Sequence, residues 1–145
     1  MSRSPREVAD LVRDMVAGEG VVFADLFADD GVLTYPFAPP GQPRELQGRD
    51  AIRSYFAGMG QLRQAFLMEG VDAVVRETDD PEVVVTEITH HGRSLVTGGP
   101  YRLTALGVIR VRDGHIVRYD DYMDPIALAR MLGRTDELSA ALAGT

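Results

Sequence analysis

The chain has 145 residues, 45% of them apolar and 26% charged, with a formal net charge of −7 and no cysteine. That length suits one domain able to bury well over half of its unfolded surface, and the composition lies far from the polar bias of disordered chains. The acidic balance, without a cluster of basic residues to neutralise phosphates, argues against nucleic acid as a partner; the missing cysteine excludes disulfides, thiolate metal sites and thiol nucleophiles.

Ser4, Pro5 and Glu7 mark a helix start: the serine hydroxyl accepts from the amide three residues on, the glutamate reaches back, and proline suits the first helical position. Charged residues stand here where a signal peptide needs an apolar run, and no later apolar run is long enough to span a bilayer, so a cytoplasmic protein without membrane contact is expected. Val8, Leu11, Val12 and Met15 then share one helical face, and Gly18-Glu19-Gly20 breaks the helix. Phe23, Leu26 and Phe27 predict a second short helix that ends at Asp29-Asp30-Gly31, with both aspartates facing water.

Val32 to Tyr35 reads as a short strand, and Pro36 to Pro43, with four prolines and a glycine, as an irregular loop. Gly48-Arg49-Asp50 opens a third helix, with Asp50 as its cap and Ile52, Tyr55, Phe56 and Met59 as its buried stripe. The remainder is mostly strand. Phe66 to Thr78 is followed by a turn at Asp79 to Glu82, a returning strand from Val83 to His91, a longer turn from Gly92 to Pro100, and a third strand from Tyr101 to Arg112. Asp113-Gly114 is a strong tight-turn signal leading to a last strand, His115 to Tyr122. Asp124-Pro125 starts a helix from Ile126 to Leu132, and the alanine-rich tail after Gly133 predicts another helical turn or two. Helices first and antiparallel hairpins after them indicate an α+β fold, with helices on one face of a bent sheet.

Phe27-Ala28-Asp29-Asp30 before a strand, Gly48-Arg49-Asp50-Ala51-Ile52, Leu106-Gly107-Val108, Gly114-His115-Ile116 and Asp121-Tyr122-Met123-Asp124 occur in that order. In this the chain resembles, over nearly its whole length, the SnoaL-like members of the nuclear-transport-factor-2-like superfamily, which is ketosteroid isomerase-like in fold. Within that group the pattern is most similar to limonene epoxide hydrolase. The resemblance implies one domain over residues 1–145, shaped as a cone: a curved antiparallel sheet covered by N-terminal helices around an apolar pocket. It also implies a homodimer through the outer face of the sheet.

In the epoxide hydrolase pattern a strand arginine and an aspartate two residues later work with a second aspartate on the last strand. Asp121 matches that second aspartate, while Ile88 and His90 stand at the other two positions. Leu33 and Tyr35 stand where that pattern has its water-holding tyrosine and asparagine, and Tyr35 also aligns with the general base of the steroid isomerase pattern. The stretch near Leu106 and Gly107 replaces the buried acid of the latter. What the resemblance carries over is Asp121 facing the cavity.

Strand alternation puts Thr86, Ile88 and His90 on one face and Val117, Tyr119 and Asp121 on another. If both faces are concave, as the resemblance implies, His90 and Asp121 meet across the cavity, and a histidine oriented by a carboxylate is a competent general base. The competing reading makes His90 a strand-end histidine half in solvent and Asp121 a partner of Arg102 or Arg118. Tyr35 and Tyr119 are candidate donors to a substrate oxygen, or else half-buried strand tyrosines. Ile88, Leu103, Ala105, Phe56, Tyr55 and Leu33, with Tyr101, are expected to wall the pocket.

Glu87 is out of phase with His90 and suits a salt bridge on the outer face; Asp124 suits a helix cap, and His115 an exposed turn. His90 and His91 point to opposite faces and chelate poorly, so neither a metal nor another cofactor is expected. The resulting reading is a cofactor-independent general acid/base enzyme, an isomerase, cyclase or hydrolase, acting on a hydrophobic oxygenated small molecule such as a polyketide, terpenoid or steroid. The alternative is a non-catalytic binding or scaffold protein of the same fold.

Overall fold

The computed structural model describes residues 2–144. Helix α1 (Pro5–Val16) begins as the sequence predicts: Glu7 N donates to Ser4 Oγ at 3.1 Å and Ser4 N to Glu7 Oε1 at 3.0 Å. Its apolar face buries Val8, Ala9 and Val12.

The expected second helix is only a 3-10 turn, Phe23–Leu26, after which the chain is already extended as strand β1 (Phe27–Thr34). Pairing decides this against local spacing. Phe27 lies opposite Ile116 and Leu33 opposite Tyr119, in a parallel pairing with the last strand that is interrupted between Phe27 and Val32. Asp29 and Asp30 sit in the interrupted stretch, exposed as expected, and Asp29 pairs with Arg49. Tyr35 falls just past the strand. A short strand β2 (Glu45–Gln47), unmarked in the sequence because it is three mostly polar residues, pairs antiparallel with the end of β1.

Helix α2 (Arg49–Ala57) is capped by Gly48, and Asp50 lies in its first turn with no side-chain cap bond, contrary to expectation. Gly48 has φ 92° and donates its N–H to Gly31 O at 2.8 Å, so the strand-to-helix turn requires a left-handed residue there rather than an acidic cap.

The long strands β3 (Phe66–Glu77), β4 (Val83–Ser94), β5 (Pro100–Arg112) and β6 (His115–Met123) then form an antiparallel meander. The six-stranded sheet runs β2-β1-β6-β5-β4-β3, antiparallel except for β1 against β6. Asp113 and Gly114 adopt φ 52° and 79°, the pair of left-handed residues a two-residue hairpin needs. Glu87 pairs with Arg76 at 2.9 Å on the outer face. After β6, Asp124 Oδ1 accepts from Ile126 N at 3.0 Å and Ala127 N at 3.1 Å and so caps α3 (Pro125–Met131); the tail forms α4 (Thr135–Ala143).

The main core lies where α1, the 3-10 turn and α2 meet the sheet, with Val8, Phe27, Leu33, Ile52, Ile109 and Ile116 fully buried. A smaller cluster, Tyr101, Leu103 and Met131, lies under α3. Buried Ser94 ties the two ends of this cluster together: its Oγ donates to Met131 O at 2.6 Å and accepts from Val96 N at 3.2 Å and Thr97 N at 3.1 Å. Ser94→Ala leaves those groups without a partner, and a loss of about 1–3 kcal/mol is expected in urea denaturation. A loss below about 0.5 kcal/mol would show that the turn does not depend on the serine.

Candidate active site

The concave face of the sheet, α2, the proline-rich loop and the C-terminal helices enclose a predominantly apolar cavity of about 600 Å³, within the range that holds a multi-ring organic ligand. Asp121, in its wall, belongs to one cross-strand row. Asp121 of β6 lies opposite Gly107 of β5, and Gly107 opposite Thr86 of β4. Because Gly107 has no side chain, its neighbours lean over it: a Cβ there would lie 2.7 Å from Thr86 Oγ1 and 2.9 Å from the Tyr119 hydroxyl. The glycine is what lets polar groups gather at this point. Thr86 Oγ1 is buried, and although it stands close enough to favour the Tyr119 phenolate slightly, the two hydroxyls do not meet hydrogen-bond geometry.

Asp121 faces this nook. Its Oδ1 is sealed from solvent and has no hydrogen-bond partner, and burial pushes the carboxyl from its ordinary 3.8 up to about 7. Among the described residues neither Arg102 nor Arg118 pairs with Asp121, and Arg118 Nε turns to Asp120 at 3.0 Å. Tyr119 is buried with its ring edge-on to Phe23 at 5.5 Å. Tyr35 is anchored by its backbone N–H to Arg44 O at 2.8 Å, with its ring against Tyr55 at 6.5 Å. Burial raises both phenol pKa values, and the Asp121 carboxylate raises them further. Both hydroxyls therefore stay protonated as donors through the whole range in which Asp121 titrates.

His90 lines the same cavity without meeting Asp121. It stands four residues along β4 from Thr86, roughly 13 Å at the rise of a strand, and its Nδ1 bonds to the Tyr101 hydroxyl at 2.9 Å. The expected histidine–aspartate pair is thus replaced by a histidine–tyrosine pair at one end and a carboxylate among phenols at the other. Sheet register, which strand alternation does not supply, separates them. Burial, with the nearby charges of Arg63 and His91, lowers His90 to about 4.

Ile88, Leu103 and Ala105 line the cavity from the sheet, and Tyr55 and Phe56 from α2. Leu33 does not: it is packed in the main core with Phe27 and Ile52, on the part of the sheet that the helices cover directly. Further walls come from Phe37 and the loop prolines, and from Leu128, Met131 and Leu138 of α3 and α4. The helical spacing of Leu128, Met131 and Leu132 after the Asp124 cap carried a signal for an apolar face, whereas the proline loop has no periodicity that would place it. Among the described residues, no three His, Asp or Glu side chains gather as a metal site, and no helix is long and apolar enough to cross a membrane.

A family model of the SnoaL-like domain matches residues 8–119. The chain belongs to the SnoaL-like family. This SnoaL-like chain is 31% identical over 127 residues, 88% of each protein, to an uncharacterised PhzA/B-like protein of Pseudomonas aeruginosa. It is 32% identical over 111 residues, 77% of this chain and 74% of the relative, to the uncharacterised protein YesE of Bacillus subtilis. The crystal structure of a candidate isomerase from Bacillus subtilis superposes with a TM-score of 0.74 at 27% identity, covering 92% of this chain and 98% of that one. Asp121, on the last strand of the SnoaL-like sheet, lies two residues beyond the matched stretch.

Proposed function

We propose that this SnoaL-like protein is a cofactor-independent enzyme that moves a proton on carbon next to a carbonyl, in an isomerisation or aldol-type cyclisation of a hydrophobic, oxygenated small molecule. The observation that carries the reading is Asp121, a carboxylate with a buried, unpartnered oxygen, set in an apolar cavity beside two neutral phenols. A carboxyl poised near 7 is well matched to general-base work at neutral pH.

Asp121 takes the proton from the carbon, and its electron pair moves onto the carbonyl oxygen. Tyr35 and Tyr119 hydroxyls donate to that oxygen as it becomes an enolate, in predominantly apolar surroundings where such hydrogen bonds are strengthened. Protonated Asp121 then returns its proton to a different carbon, which gives an isomer, or the enolate carbon attacks a second carbonyl, whose oxygen takes up the pair of its broken π bond and then the proton from Asp121, which closes a ring as a hydroxy ketone. The isomerase-type relative at 27% identity supports this class. Epoxide opening is disfavoured, because Ile88 occupies the position of the arginine that the hydrolase pattern uses.

The test is deuterium exchange α to the carbonyl, followed by NMR in a panel of β,γ-unsaturated ketones and linear polyketone esters. Exchange that needs Asp121 supports the reading; compounds that bind wild type without exchanging favour the binding-protein alternative. Tyr35→Phe, which removes a hydroxyl and keeps the ring against Tyr55, is expected to lower kcat by roughly 10²-fold with KM little changed. An unchanged kcat would remove Tyr35 from the oxyanion-binding role.

A further inference from the structure

We infer that His90 and Tyr101 form a second anchoring point, which selects substrates carrying a hydrogen-bond-accepting oxygen at the end remote from Asp121. The inference rests on reading Asp121 as the proton-transfer end, and it narrows the substrate class: an elongated molecule with oxygen functions near both ends.

Tyr101 is buried, and its only hydrogen-bond partner among the described residues is His90 Nδ1, at 2.9 Å. A buried phenol whose O–H has no acceptor is costly, and the imidazole nitrogen is the acceptor at hand. Tyr101 therefore donates to Nδ1. A neutral imidazole carries one proton, and with Nδ1 acting as acceptor that proton is on Nε2. His90 is neutral at physiological pH, because burial and the neighbouring positive charges hold it near 4. The ring is held in place by Phe66 at 5.4 Å, and by Tyr101 edge-on at 5.3 Å.

Nε2–H has no partner among the described residues, and His90 is on the cavity wall. It is thus a fixed donor turned over to whatever the cavity holds, and a donor in an apolar wall selects a carbonyl, ether or hydroxyl oxygen. Arg63 adds to the selection. Its guanidinium is held by Met15 O at 2.7 Å and Val16 O at 3.0 Å, close enough to depress His90, and its charge disfavours a cationic ligand at this end. With His90 four residues along β4 from the Asp121 row, the two oxygen functions of the ligand lie on the order of 10 Å apart.

The test uses two probes of nearly equal volume, 6-acetyl-2-naphthol and 6-isopropyl-2-naphthol, in fluorescence titrations. Both offer a phenol to the Asp121 end; only the first offers an acceptor to His90. Wild type is expected to bind the acetyl compound about 5- to 10-fold more tightly, the worth of one neutral hydrogen bond. His90→Phe should erase that preference and Tyr101→Phe should weaken it, each read as the ratio of the two Kd values. Asp121→Asn should change both affinities and keep their ratio, so a failure of the Asp121 reading is told apart from a failure of this one. Equal binding of the two probes by wild type, binding of neither, or a preference that survives His90→Phe overturns the inference. A second readout is the two-bond proton–nitrogen spectrum of the histidines: Nε2 protonated and Nδ1 bare in wild type, with the proton redistributed in Tyr101→Phe. A wild-type His90 protonated on Nδ1 also overturns it.

Discussion

Replacing Asp121 by asparagine is expected to lower turnover by roughly 10²–10⁴-fold, the usual worth of a general base, while making the protein more stable. The two effects have one cause. Burial raises the carboxyl from 3.8 to about 7, so the folded state holds a proton that the unfolded state has released over the interval between those values. Stability from this group is fully present below pH 3.8 and is lost as pH rises through 7. A shift of that size corresponds to about 4 kcal/mol, and the open side of the cavity screens part of it, leaving on the order of 3 kcal/mol. Asparagine has no such dependence.

Urea denaturation should accordingly show the variant gaining on wild type by that amount between pH 4 and pH 8. A stability difference that does not change with pH would mean that the carboxylate is solvated after all. In the same experiment series, kcat/KM of wild type should rise with pH around an apparent pKa of about 7, as the carboxyl loses its proton, and the residual rate of the variant should lack that limb.

The largest loss of stability from one methyl group is expected at Gly92. A Cβ there would lie 1.9 Å from Leu67 O, 2.9 Å from Leu67 C and 3.0 Å from Glu69 N, all of them backbone atoms on the facing strand. Gly92 stands opposite Met68 at the irregularity between Met68 and Gly70, where β3 bends. Backbone inside a paired strand has no rotamer by which to move away, so Gly92→Ala has to separate β3 from β4 locally. A cost of about 3 kcal/mol or more and a fall in Tm of roughly 10 °C are expected. Gly99→Ala in the neighbouring turn, where the nearest atom is Thr97 Oγ1 at 3.8 Å, serves as the control and should change Tm little. A Gly92→Ala protein melting within about 2 °C of wild type would show that the β3–β4 pairing is looser than the structure has it. Phe66, at the start of the same strand, lies against His90 at 5.4 Å, so a damaged pairing should weaken the remote end of the cavity before the Asp121 end.

Several elements follow from neighbours in sequence alone, and the structure agrees with the sequence at each. The Ser4–Glu7 capping box, the Asp113-Gly114 turn and the Asp124 cap are closed by atoms two or three residues apart, so nothing distant has to be known. Alternation along β4 and β6 likewise put Ile88 with His90 and Tyr119 with Asp121 on shared faces, and these are the faces that line the cavity, as the resemblance implied. The errors share the opposite property. Phe27 is strand rather than helix because Ile116, far along the chain, pairs with it; Gly48 rather than Asp50 begins α2 because Gly31 holds it; and Leu33 is core because the helices cover that part of the sheet.

By itself the sequence determined the α+β class, the order of the long strands and which residues share a strand face, because period-two alternation, turn residues and caps are local properties of the chain; that the Asp121 face looks inward was implied by the family resemblance. Only the tertiary structure decided which polar groups meet. Register sets His90 beside Tyr101 and Asp121 across from Gly107, and register is a relation between strands that no single strand encodes.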